Sequence, residues 1–145
     1  MNRKLLSCVV IALLVGCQAA PTGGQRTASS ATCAQPQCQI DVMVTGTPPV
    51  ISVNIDDLTI QRTRDVMIHW HLRNNDYEFK DDSIQFYDPA SSDQFTGPGT
   101  SGSGAQFHYT NKNTRNGRFG YQIKVYNKRT GVWMTLDPAI VNDCC

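Results

Sequence analysis

Alternation of apolar and polar residues at a period of two most limits how this chain can fold. The clearest run covers residues 66–72. Its apolar positions are Val66, Ile68, Trp70 and Leu72, and the positions between them are Met67, His69 and His71. A second run covers residues 119–126, after the turn-forming pair Asn116-Gly117. Successive side chains of a strand point to opposite faces, so each run predicts a strand with one buried face. No segment of helical length carries a sustained apolar stripe.

Shorter apolar runs separated by turn formers extend this pattern along the chain. They cover residues 39–44, 50–60, 77–87 with a break at Asp81-Asp82, 107–110 and 132–136. About seven short strands with frequent turns predict an all-β fold, a single antiparallel β-sandwich. The glycine-rich segment 96–105 is predicted to be a flexible loop between strands. Within it, residues 97–102 match Gly-x-Gly-x-x-Gly, but the strand, helix and acidic residue of a dinucleotide site are missing around them.

Two short motifs are typical of one sandwich family. Trp70 lies in the third predicted strand, and Gly117, Phe119 and Tyr121 lead into a late strand. They resemble the core tryptophan and the tyrosine corner of immunoglobulin-like sandwiches. The resemblance implies that Trp70 fills the core between the sheets and that the Tyr121 hydroxyl bonds nearby backbone. Neither strand contains a cysteine, so the inter-sheet disulfide of antibody-type domains is missing. An Ig-like and a cupredoxin-like architecture both stay open.

The first residues carry the pattern of an export signal. Arg3 and Lys4 give a positive start, and an apolar run of about 11 residues follows, which is too short to span about 30 Å of hydrocarbon. The run ends in Leu14-Val15-Gly16-Cys17, which resembles the lipobox of bacterial lipoproteins. The resemblance implies that cleavage follows Gly16 and that Cys17 carries diacylglycerol. An ordinary secretory signal with an incidental cysteine is the alternative.

These patterns divide the chain into three parts. Residues 1–16 are predicted to be the signal peptide, residues 17–32 the lipidated cysteine and a disordered tether, and residues 33–145 the sandwich domain. The tether is small and polar throughout, so it cannot bury enough apolar surface to offset the entropy of ordering. The chain has 13 Lys+Arg against 12 Asp+Glu, and removing Arg3 and Lys4 leaves 11 against 12. This balance does not indicate a nucleic-acid partner.

The predicted domain keeps four cysteines: Cys33, Cys38, Cys144 and Cys145. In an exported chain they are expected to form two disulfides. A bond between the neighbours Cys144 and Cys145 would close a strained eight-membered ring. We therefore expect the two ends of the domain to be cross-linked, and the sequence leaves both cross-linked pairings open.

One pattern suits metal binding. His69 and His71 lie two apart on one strand face, with Met67 one step further along, and Met-x-His-x-His suits copper. Two histidines on one strand do not complete a site, and the third, His108, is expected in a distant strand. Type 1 copper is excluded because the C-terminal strands offer Met134 without a histidine. We therefore expect no tight copper site.

Two oppositely charged segments follow one another in the chain. Most charged residues in the segment 76–93 are acidic, and every charged residue in the segment 111–131 is basic. The acidic segment fits no calcium-loop spacing. We expect these charges to pair across neighbouring strands or to keep an edge soluble, rather than to recruit a partner.

Together these patterns predict an envelope protein anchored by lipid to the periplasmic face of the outer membrane. Gln18 after the anchor cysteine resembles the sorting signal for release to that membrane, and surface display stays open. The sandwich is expected to act by binding an envelope partner or by structural support, with neither catalysis nor a cofactor. The oligomeric state stays open. The competing hypothesis is a copper-handling envelope protein that uses Met67, His69 and His71.

Overall fold

The alternating runs fold as strands of two sheets packed face to face. A computed structural model describes residues 29–61 and 64–144, so the predicted signal peptide and Cys17 lie outside the described residues. The strands, in chain order, are β1 (Ser30–Cys33), β2 (Gln37–Thr45), β3 (Val50–Val53), β4 (Asp57–Ile60), β5 (Val66–Leu72), β6 (Tyr77–Glu78), β7 (Ile84–Phe86), β8 (Phe95–Thr100), β9 (Gln106–Asn111), β10 (Gly117–Asn127), β11 (Trp133–Leu136) and β12 (Ala139–Asn142). The only helical turn in these ranges is a 3₁₀ turn at Pro89–Asp93. The predicted all-β sandwich is confirmed.

The two strongest alternating runs form the central strands. β10 is the hub of a seven-stranded sheet ordered β1-β4-β12-β10-β11, and β6 and β7 pair along its other edge. β5 is the middle strand of a five-stranded sheet ordered β3-β2-β5-β9-β8. A central strand packs its whole inner face against the opposite sheet, and this explains why β5 and β10 show the cleanest alternation.

The sheets are mixed, so the predicted antiparallel pairing holds for most strand pairs but not for all of them. β1 and β12 both run parallel to β4, and β2 runs parallel to β5. Parallel neighbours need a crossover between them. The chain supplies one by splitting the predicted run 50–60: β3 joins the five-stranded sheet and β4 joins the other. Residues 54–56, between β3 and β4, carry the chain across.

Three strands fall where none was expected. β1 begins at Ser30, three residues before the predicted domain boundary, and pairs in register with β4. β8 occupies the first part of the predicted glycine-rich loop, at the edge of its sheet, with an irregular register between Thr96 and Gly99. An edge strand tolerates Pro98 and the glycines because one side of its backbone needs no ladder partner. β12 is a short apolar run that shows no clear alternation.

The centre of the core is an aromatic pair that joins the two sheets. Trp70 of β5 is fully buried, and its Nε1 donates to the Tyr121 hydroxyl of β10 over 3.0 Å. The two ring centroids are 5.5 Å apart. The prediction that Trp70 fills the core is confirmed. The expected bond from Tyr121 to nearby backbone is wrong, because the described hydrogen bond joins Tyr121 to the opposite sheet, and burial raises its pKa well above the usual value.

Candidate functional site

All three histidines of the chain meet on the outer face of the five-stranded sheet. His69 and His71 project from β5, and the antiparallel register with β9 places His108 directly opposite His69. The His69 ring centroid lies 6.0 Å from that of His108 and 6.2 Å from that of His71. The expectation that His108 lies in a distant strand is therefore wrong. His108 is 39 residues from His69 along the chain, but separation along the chain does not determine which strands are neighbours in a sheet.

Neighbouring strands shape the space around these rings. On one side β8 places Gly99 opposite His108, where an added Cβ would lie only 2.4 Å from the imidazole Cε1. A side chain at this position would displace the ring. On the other side, β2 aligns Gln39 with His69 and Asp41 with His71. The result is a shallow depression of about 380 Å³ lined by Gln37, Cys38, Gln39, His69, His71 and Gln106.

The surroundings of His69, the middle imidazole of the cluster, favour its neutral form. Burial lowers the pKa of His69, and the neighbouring rings of His108 and His71 lower it further. At neutral pH His69 therefore presents an unprotonated nitrogen that can accept a hydrogen bond or bind a metal ion. The nearest carboxylate in register, Asp41, is already engaged by Arg73 at 2.9 Å and by the Gln39 amide at 2.7 Å.

The predicted metal-binding residues share this face without forming a ready metal site. Met67 lies two residues before His69 and is aligned with Thr110. As the side chains stand, no three His, Cys, Asp or Glu residues in the described ranges are gathered closely enough to hold a metal ion. The sequence pattern predicts His108 on a strand, between Phe107 and Tyr109, but it does not predict that this strand pairs with β5.

The disulfide pairing differs from the expected one. Cys33 and Cys38 are bonded to each other, with their Cα atoms 6.2 Å apart, so the expected cross-link between the domain ends is wrong. The sheet order gives the reason: β4 lies between β1 and β12, which puts their backbones about 10 Å apart. A disulfide reaches only about 7 Å between Cα atoms. Cys144 is disulfide-bonded as well, and its partner is neither Cys33 nor Cys38.

A tryptic map of the unreduced protein should show this pairing. Cleavage after Arg26 and Arg62 leaves Cys33 and Cys38 in one peptide, residues 27–62, while Cys144 lies in the peptide 130–145. We expect the first peptide as a separate species, lighter by two hydrogens than its reduced form. A disulfide closing so short a loop is worth about 2 kcal/mol in the chain-entropy model. A mass corresponding to the two peptides joined would contradict the pairing.

The oppositely charged segments pair with each other, as expected. Arg129 contacts Asp76 at 3.2 Å, Arg115 contacts Asp93 at 3.8 Å, and Lys124 contacts Asp82. Exposed pairs of this kind contribute at most about 1 kcal/mol each. Three pairs thus join the two segments and offset part of the charge of each.

The comparisons with known proteins add no family to this description. No protein-family model matches the chain, and no curated protein matches it. Over residues 29–61 and 64–144, none of the helical structure has the length and apolar character to cross a bilayer. The chain is thus defined by its own fold and surface: an all-β sandwich with three histidines clustered on one outer face.

Proposed function

We propose that this chain is a bacterial envelope lipoprotein whose sandwich is a non-catalytic binding module, held at the periplasmic face of the outer membrane by lipid on Cys17. The observation that carries the proposal is the outer face of the five-stranded sheet. There, imidazole and amide side chains surround a shallow depression. Imidazole and amide groups both donate and accept hydrogen bonds, so this surface offers a partner mixed polar contacts.

The position of β1 supports a tether that leaves this face open. β1 is an edge strand of the seven-stranded sheet, so the chain enters the domain at the border of the opposite sheet. Twelve residues, 18–29, separate the proposed anchor from β1. If it behaves as the disordered tether that its composition predicts, a segment of this length spans about 20 Å. The domain can therefore stand clear of the lipid headgroups with its histidine face accessible.

The packing of the interior supports binding at the surface. The inner faces of both sheets are filled by large apolar side chains, including Trp70, Phe79, Phe107 and Tyr121 at the centre. Close packing of this kind leaves the sandwich as a rigid support. Polar side chains on the strands of a rigid sheet keep a fixed spacing, which suits recognition.

Site-specific photocrosslinking in intact envelopes tests the proposal. A crosslinking residue at Gln39, exposed beside the histidines, is compared with one at Thr135, exposed on β11 of the opposite sheet. We expect a discrete adduct from Gln39 and none from Thr135, and we expect the adduct to disappear when Cys17→Ser removes the anchor. Equal adducts from both positions, or an adduct that persists in Cys17→Ser, would argue against a tethered module that binds through this face.

A further inference from the structure

The three histidines form a compact group on neighbouring strands. The chain has only three, and every one lies in this cluster, with His69 between the other two. We propose that His69, His71 and His108 are the ligands of a surface site for a divalent transition-metal ion, with Cu²⁺ bound most tightly. It replaces the expectation of no tight copper site, which assumed that His108 lies in a distant strand, whereas His108 lies beside His69. This inference rests on the proposed binding face, to which it adds a ligand, and it does not require the lipid anchor.

The observed spacing lies close to that of three imidazoles around one ion. A metal-nitrogen distance of about 2.0–2.1 Å puts each ring centroid about 3 Å from the metal, so two ligands have centroids about 5 Å apart in a tetrahedral site and about 4 Å apart as cis ligands of a tetragonal Cu²⁺ site. The observed separations are 6.0 and 6.2 Å. Side-chain rotation on this half-buried face must therefore bring His71 and His108, which lie on either side of His69, towards one ion. As the side chains of the described residues stand, no three of these ligand types are gathered closely enough to hold an ion, so rotation of the rings is a necessary part of the proposed binding.

The chemistry of the donors selects the class of metal. Neutral imidazole suits Cu²⁺, Ni²⁺ and Zn²⁺, and affinity for nitrogen ligands is greatest for Cu²⁺ among the divalent first-row ions. Ca²⁺ and Mg²⁺ require several oxygen ligands, whereas the carboxylate of Asp41 is taken up by Arg73. These hard ions serve as negative controls.

A copper titration of the full-length protein in detergent, against a chelator of known affinity, tests the proposal. We expect one Cu²⁺ bound with submicromolar Kd, and no comparable binding of Ca²⁺ or Mg²⁺. His69→Ala should weaken binding by about 100-fold or more, and His71→Ala or His108→Ala by about tenfold or more. Met67→Leu is the matched control on the same face and should change the Kd by less than about threefold.

Spectroscopy separates a three-histidine site from adventitious copper. Electron paramagnetic resonance of the Cu²⁺ complex should show coupling to three imidazole nitrogens, reduced to two in His108→Ala, while the melting temperature of each metal-free variant reports its folding. A wild-type Kd weaker than about 10 μM, or an affinity unchanged by His108→Ala, would overturn the proposal. The copper titration and the photocrosslinking at Gln39 test the two proposals independently. Absence of copper binding would not change the crosslinking result, and absence of a crosslinked adduct would not change the copper Kd.

Discussion

Trp70→Ala is expected to lower the free energy of unfolding by about 3 to 5 kcal/mol, the range typical of large aromatic residues removed from a core. Trp70 is fully buried and packs edge-on against Phe107, Tyr109 and Tyr121. Its removal creates a cavity between the sheets and also removes the hydrogen bond to the buried Tyr121 hydroxyl. Chemical denaturation monitored by far-UV circular dichroism gives the change.

The second tryptophan of the chain is the control for this variant. Trp133 lies on β11 with 42% of its surface exposed, and its main aromatic contact is Tyr126, at a centroid distance of 5.2 Å. Trp133→Ala is expected to cost less than about 1 kcal/mol, because its site stays accessible to solvent. A Trp70→Ala loss as small as that of Trp133→Ala would show that Trp70 does not hold the two sheets together.

Asn142→Ala is expected to have the next largest effect, a loss of about 1 to 3 kcal/mol, because it leaves buried polar groups without partners. Asn142 of β12 and Asn111 of β9 are both almost completely buried, and the Asn111 Nδ2 donates to the Asn142 Oδ1 over 2.7 Å. Asn142 also donates to the Arg115 carbonyl over 3.2 Å. Like the tryptophan bond, this pair joins one sheet to the other.

A double-mutant cycle isolates the bond between the two asparagines. Asn111→Ala, Asn142→Ala and the double variant are compared by denaturation, and the double variant should lose less than the sum of the single losses by about 0.5 to 3 kcal/mol. The difference arises because a second substitution removes a group that the first already left unpaired. Strict additivity of the two single losses would show that the pair contributes nothing as a pair.

Much of the fold could be predicted from the sequence because alternation reports burial directly. The apolar residues of β5 and β10 alone predict which side chains of these strands point into the core, and they also predict the central position of Trp70. Alternation does not report which strands are neighbours. The parallel pairing of β2 with β5, and the division of residues 50–60 between two sheets, depend on contacts between distant parts of the chain. β8 was missed because glycine and proline suggest a loop, whereas a sheet edge tolerates both.

The candidate site was predicted only in part, for the same reason. The spacing of His69 and His71 places both on one face, and this prediction follows from the strand period. The addition of His108 needs the order β5-β9 and their register, neither of which is written in local sequence. The disulfide prediction was wrong for a similar reason. The first and last strands, β1 and β12, do lie in the same sheet, but β4 lies between them and keeps their cysteines too far apart for a bond.

Mass spectrometry of the protein isolated from membranes tests the anchored-lipoprotein account most directly. Trypsin should release an N-terminal peptide of residues 17–26, which begins at Cys17 and ends at Arg26. We expect this peptide to carry diacylglycerol on the Cys17 sulfur, and we expect metabolic palmitate labelling to be lost in Cys17→Ser. A mature chain that begins elsewhere, or labelling that is undiminished in Cys17→Ser, would contradict the account.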